Sequence, residues 1–254
     1  MSSAESQDWD AIAALDPHWA VLSDPERKYG RWDDEAFFAT GEEEIARRLS
    51  PGDVLGRPAR HEQALDFGCG LGRLTRALAR RFERSVGVDV SEVMVGRARD
   101  LNAGVEGCRF VVNAGERLEV FEDASFDLVY SSIVLQHLPG PAAVEAWIAE
   151  LLRVTRPDGL LLFQLPTSLP LAARLQPRRT LYRVLRRLGA SPAFLYWRLG
   201  LHGMRMTAIP EERVAAVVRE AGGEVLRVEH ERDPRFPIAG GIYYVSPTTT
   251  PSAV

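Results

Sequence analysis

The segment ALDFGCGLGRLTRALAR, residues 64–80, constrains the fold of this chain most. An apolar run, Ala64–Phe67, breaks at Gly68, Gly70 and Gly72 and resumes as Leu74, Ala77, Leu78 and Arg81 at helical spacing. The pattern reads as a strand, a glycine turn and a helix. Glycine weakens the local backbone, so three at one turn imply a need for close approach to the main chain. One carboxylate, Asp66, sits at the end of the strand just before the turn.

The same alternation continues downstream. Strands are expected at Ser85–Asp89, Cys108–Val112, Phe126–Ser131 and Leu160–Leu165, and helices at Leu71–Arg81, Ser91–Asn102 and Pro141–Thr155. Proline opens the last of these, where a helix tolerates it best. The strands are short and apolar on both faces, as in a parallel sheet covered by helices on each side. A doubly wound α/β sheet follows. After it, Glu211–Ala221 reads as a helix closed by Gly222-Gly223, and Glu224–His230 and Gly241–Val245 as a final antiparallel pair at the sheet edge.

These readings divide the chain into an N-terminal helical cap (1–50), a core (51–165), a helical lid (166–209), a C-terminal helix with edge strands (210–246) and a frayed tail (247–254). The whole is 254 residues, long enough for one large core. No apolar run approaches a membrane span, and the polar, acidic start MSSAESQDWD is unlike a secretory leader. Two cysteines, Cys69 and Cys108, are too few for a disulfide framework or a zinc site and read as buried thiols. A cytoplasmic protein with no integral membrane association is expected.

Ligands of doubly wound sheets sit at the carboxyl ends of the strands. Asp89 ends the second strand, where a carboxylate can accept both hydroxyls of a ribose. Ser91 is available to cap the next helix, which leaves Asp89 for a ligand. The loop GCGLG departs from the G-x-G-x-x-G of dinucleotide sites. Asp66 would repel a pyrophosphate but would attract an ammonium. The implied ligand has adenosine at one end and an amino acid at the other, as S-adenosylmethionine does.

With these residues in place, the chain resembles the class I S-adenosylmethionine-dependent methyltransferases of the small-molecule type. The first motif is ALDFGCGLGRLT, the second VGVDVSEVMVGRAR, the fourth-strand motif SFDLVYSSIVLQHLP and the fifth-strand motif LLRVTRPDGLLLFQLP. The resemblance implies a Rossmann-like, seven-stranded, mostly parallel sheet with an antiparallel edge strand. It implies cofactor binding by Asp66, Gly68, Cys69, Gly70, Gly72, Asp89 and Val90, with Met94 beneath the adenine. Asn113 and Ala114 follow the third strand, where the adenine amino group is held, and Ser131 borders the methionine. Tyr29 and Arg31, in KYGRWDDEAFFATG, can reach the cofactor carboxylate or belong to a buried aromatic cap. S-adenosylhomocysteine is the implied product, and no metal is expected.

His137 is the candidate general base, with packing as its alternative role; His202 comes second, and His18, His61 and His230 look remote. From Leu165 to Pro210 there are eight arginines and no Asp or Glu, although the net charge is −4. Lys28 is the only lysine, so this arginine bias carries less meaning than usual. Leu181, Val184, Leu185 and Leu188 form one helical stripe in the lid. An apolar, acid-free lid suits a hydrophobic, anionic or carrier-bound small molecule. It also suits a solvated helix pair, contact with a second copy of the chain, or a membrane surface. A pI near 5.8 argues against nucleic acid. An NAD-dependent oxidoreductase and a non-catalytic S-adenosylmethionine-binding protein remain as alternatives.

Overall fold

The computed structural model describes residues 3–232 and 238–248. Ten α-helices and seven strands run through them. In chain order they are α1 (Ser3–Leu15), α2 (Pro17–Val21), α3 (Asp34–Val54), β1 (Gln63–Phe67), α4 (Arg73–Leu78), β2 (Arg84–Asp89), α5 (Glu92–Leu101), β3 (Cys108–Val112) and β4 (Phe126–Ser131). Then follow α6 (Pro141–Val154), β5 (Thr155–Ser168), α7 (Leu171–Leu175), α8 (Pro177–Arg187), α9 (Pro192–Leu199), α10 (Glu211–Glu220), β6 (Gly223–Arg232) and β7 (Ala239–Pro247).

The sheet order is β3-β2-β1-β4-β5-β7-β6, with β1 to β5 parallel and β7 antiparallel to both of its neighbours. The expected mixed edge is present, with β7 one place in and β6 outermost. Strand β5 is longer than its apolar stretch. It begins pairing with β4 at Thr155 and stays paired with β7 as far as Ser168. Alternate residues feed two cores. Leu65, Val129, Leu161 and Phe163 face α6 and α10, whereas Ala64, Leu128, Leu160 and Leu162 face α3 and α4. Period-two side chains on a pleated strand produce this division.

The segment expected as a single cap, 1–50, divides. Helix α3 runs on to Val54, and its Ile45 and Leu49 pack on the sheet. Helices α1 and α2 instead cluster over the strand ends, joining Ile12, Trp19 and Ala20 to Leu71, Met94 and Tyr196. At the other end, Pro247 pairs with Gly223, and the Thr248 N–H donates to the Gly222 carbonyl. The strand thus continues into the start of the expected tail, and 249–254 lie outside the described residues. Cys69 is buried, Cys108 partly so, and both are free thiols as expected.

The lid seats on the N-terminal helices. The Tyr196 hydroxyl donates to Asp16 at 2.6 Å, and the same carboxylate oxygen accepts from the Tyr29 and Gly30 N–H groups. Lys28 Nζ lies within 5 Å of the Trp19, Tyr29 and Tyr196 ring centres. These cation–π contacts hold the lone lysine against the seam. The hydrophobic stripe of Leu181, Val184, Leu185 and Leu188 divides between two surroundings. Tyr182, with Leu185 beside it, packs against Leu195 and Leu201, and Leu181, Val184 and Leu188 face solvent.

Candidate functional site

The strand order reverses between the parallel neighbours β1 and β4, and a crevice opens at their carboxyl ends. The glycine loop crosses it with Gly68, Gly70 and Gly72 all in left-handed backbone, at φ +78°, +52° and +82°. An added methyl at Gly68 would come within 2.2 Å of Val134, and one at Gly70 within 2.4 Å of Val21. The loop is therefore glycine-rich for its own backbone and packing as well as for what the crevice accommodates. Gly72 serves as the N-cap of α4, pressed against Phe110 and Asn102.

The crevice is open to solvent and encloses about 790 Å³ of empty space, counted out into its mouth. Gly68, Gly70, Asp89, Val90, Met94, Asn113 and His137 all line it. Asp89 accepts the Gly70 N–H and the Ser91 N–H, each at 2.9 Å, one on each oxygen. Each oxygen retains capacity to accept a further bond. Burial raises the Asp89 pKa, opposed by these backbone donors. Ser91 does cap α5, through the Met94 N–H. The Asn113 side-chain nitrogen is buried in this wall without a hydrogen-bond partner among the described residues.

Other expected site residues lie elsewhere. Asp66 is buried beneath the loop, where Thr75 donates to it at 2.7 Å. Burial pushes its pKa up to about 7, against the pull of Thr75 and Arg73. Cys69 turns into a small cluster with Val95, Ala98 and Phe110. Ala114 is exposed, and its neighbour Gly115 takes the wall position. Ser131 is buried, and Ser132 lines the cavity in its place. Tyr29 packs on Tyr196 and Trp197, and Arg31 is exposed. The turn that Asp16 fixes at Tyr29 and Gly30 directs this segment to the lid.

His137 stands on a single 3₁₀ turn after β4. Its Nδ1 lies 2.5 Å from the Arg205 carbonyl oxygen. A carbonyl can only accept, so Nδ1 carries the proton and Nε2 offers a lone pair. The Gln136 side-chain nitrogen donates toward that Nε2 at 3.4 Å. Burial lowers the His137 pKa, and the Arg205 carbonyl partly offsets this. The ring also meets Trp9 edge-on, with 5.3 Å between centres. His202 is half-buried against Trp19, and desolvation with nearby cations pulls its pKa down to about 4. His18, His61 and His230 contact Asp34, Phe82 and Glu211, away from the cavity.

A second, smaller chamber of about 350 Å³ adjoins the first and shares Trp9 and His137 with it. Arg179, Arg205 and Asp8 give it a mixed charged wall. Trp9, Ala20 and Val21, which roof the main cavity, carry no motif, and sequence reading missed them. A polar-faced helix with one tryptophan offers no signal of what it will cover.

The strand order, the switch-point crevice and the acid ending β2 define a Rossmann-like nucleotide-binding protein. Residues 65–163 match the family model described as a methyltransferase domain. A trans-aconitate 2-methyltransferase of Azoarcus sp. (strain BH72) is 33% identical over 141 residues, covering 54% of this chain and 51% of the relative. The chain thus spans about half the length of that relative. A ubiquinone biosynthesis O-methyltransferase of Neisseria meningitidis is 26% identical over 211 residues, 78% of this chain and 80% of the relative. Among solved structures, magnesium protoporphyrin IX methyltransferase from Synechocystis PCC 6803, with bound S-adenosylhomocysteine, superposes with TM-score 0.63 at 17% identity. That match covers 97% of this chain and all of the other, and it establishes the shared fold.

Proposed function

We propose that the chain transfers a methyl group from S-adenosylmethionine to a small, apolar, anionic acceptor. The observation that carries this reading is that two cavities share His137 and Trp9 in their walls. One is walled by the glycine loop, Asp89, Met94 and Asn113, the other by Arg179 and Arg205. The residues of the first chamber fit the cofactor. Asp89 has acceptor capacity for ribose hydroxyls, the unpartnered Asn113 nitrogen can donate to adenine, and Met94 supplies an apolar floor.

The cofactor, when bound, supplies a methyl group already activated by a positive sulfur. What is left to the protein is orientation, exclusion of water and proton removal. His137 holds its proton on Nδ1 and so can take one on Nε2 from an acceptor hydroxyl or amine. The proton passes to Nε2 as the acceptor's new bond to carbon forms. The positive charges of Arg179 and Arg205 favour an acceptor bearing a carboxylate or phosphate. Oxygen is the favoured acceptor atom, supported by the O-methyltransferase named among the relatives.

Calorimetry with S-adenosylhomocysteine, followed by methyl transfer to a panel of apolar carboxylic acids and phenols, tests the reading. Micromolar binding with turnover is the expected result. Binding with no turnover on any acceptor would favour a cofactor-binding protein, and no binding would overturn the reading.

A further inference from the structure

Among the described residues, eight of the twelve large hydrophobic side chains that stand exposed fall between Leu171 and Leu199. They come from all three lid helices: Leu171 and Leu175 on α7, Leu181, Val184 and Leu188 at the solvent side of α8, and Phe194, Trp197 and Leu199 at α9. Leu188 is 78% exposed and Leu171 70%. Such concentration marks a surface made to be covered. Arg174, Arg183, Arg187 and Arg198 are exposed among them, and no acidic residue occurs between Leu165 and Pro210.

We infer that the outer face of the lid docks on an anionic lipid surface. Three features select this occupant. The inward side of α8 is already satisfied by Tyr182 against Leu195 and Leu201, so the outward leucines and valine are additional to what folding needs. Arginine forks match lipid phosphates, and aliphatic side chains flanked by arginine and tryptophan are the makeup of interfacial helices. A second copy of the chain would set one acid-free, arginine-bearing face against another, at a repulsive cost. No helix among the described residues is long and apolar enough to cross a membrane, so the attachment is peripheral. The lid also supplies Arg179 to the chamber beside His137. Docking would therefore bring the site to a lipid-dissolved acceptor. The surface itself does not depend on the methyl-transfer reading.

Co-sedimentation with vesicles tests this. The full chain is expected to sediment with phosphatidylcholine vesicles containing phosphatidylglycerol, not with phosphatidylcholine alone, and to be released by high salt. The combined variant Leu181→Ser, Val184→Ser and Leu188→Ser, and separately Arg183→Gln with Arg187→Gln, should each lower the partition coefficient by about tenfold or more. Thermal unfolding and S-adenosylhomocysteine affinity should stay as in the parent, separating this result from failure of the functional reading. Equal sedimentation with both vesicle types, or none with either, would overturn the inference. So would a dimer that the leucine-to-serine variant dissociates, or tighter binding to an acidic carrier protein than to the mixed vesicles.

Discussion

His137 Nδ1 and the main-chain oxygen of Arg205 meet at 2.5 Å, though 68 residues separate them in the chain. The contact fixes the imidazole tautomer from the lid side. It therefore ties the imidazole's protonation state to the position of the Arg205 backbone. The segment is held further by the Thr207 hydroxyl donating to the Leu138 carbonyl and the Thr207 N–H donating to the Gln136 carbonyl.

That relationship predicts a pH profile. Burial holds the His137 pKa below its ordinary 6.5. The neutral base is then already present near neutrality, and kcat should rise with pH through the lowered pKa and stay flat above it. His137→Asn can still donate to the Arg205 carbonyl but cannot take a proton. Its rate should fall at least about tenfold, with loss of the acidic limb. An unchanged rate and profile would return His137 to packing.

Asp89 joins the glycine loop to the start of α5 through two backbone N–H groups and lines the cavity. Asp89→Ala should weaken S-adenosylhomocysteine binding by about 1–3 kcal/mol, the cost of losing a charged hydrogen-bond acceptor. Calorimetry at neutral pH measures it. Affinity equal to the parent would remove Asp89 from the ribose role.

Asp66 should impose an opposite pH dependence on stability. Its pKa is about 7 folded, against 3.8 as a free side chain. Between those values the folded state binds a proton that the unfolded state does not. This contribution to stability is complete below the lower value and disappears as pH rises through the higher one. Asp66→Asn keeps an acceptor for Thr75 and removes the titration. The decline in melting temperature across that window, followed without cofactor, should flatten in the variant. A decline as steep as the parent's would sink the assignment.

Tyr196 and Asp16 pin the lid to the N-terminal helices, with the hydroxyl itself buried. Tyr196→Phe leaves the carboxylate with the Tyr29 and Gly30 donors and removes the lid's bond. A loss of about 1–2 kcal/mol in denaturant unfolding is expected. Limited proteolysis should cut within the lid sooner. Unaltered cleavage would show that α9 holds by its apolar contacts alone.

The local elements were legible in sequence because they depend on short-range pattern. Strands β3 and β4 fall where the apolar runs predict, and Ser91 caps α5 as its hydroxyl suggests. The glycine loop, Asp89, Met94 and Asn113 could be read as one site because each follows a strand end of a parallel sheet, and such ends gather on one side. Residues whose neighbours come from far along the chain were less accessible. Nothing in the pattern around Asp66 says that Thr75 will take its carboxylate below the loop. The stripe at Leu181, Val184 and Leu188 has helical spacing whichever way the helix faces, and only the packing of Tyr182 on Leu195 turned it outward. The sequence by itself determined the strands, the glycine turn and the gathering of Asp89, Met94 and Asn113 at the strand ends, since periodicity and backbone sterics act over a few residues. Only the tertiary structure decided what roofs the cavity, which nitrogen of His137 is available and which face the lid shows to solvent, because those depend on contacts between segments that sequence order does not bring together.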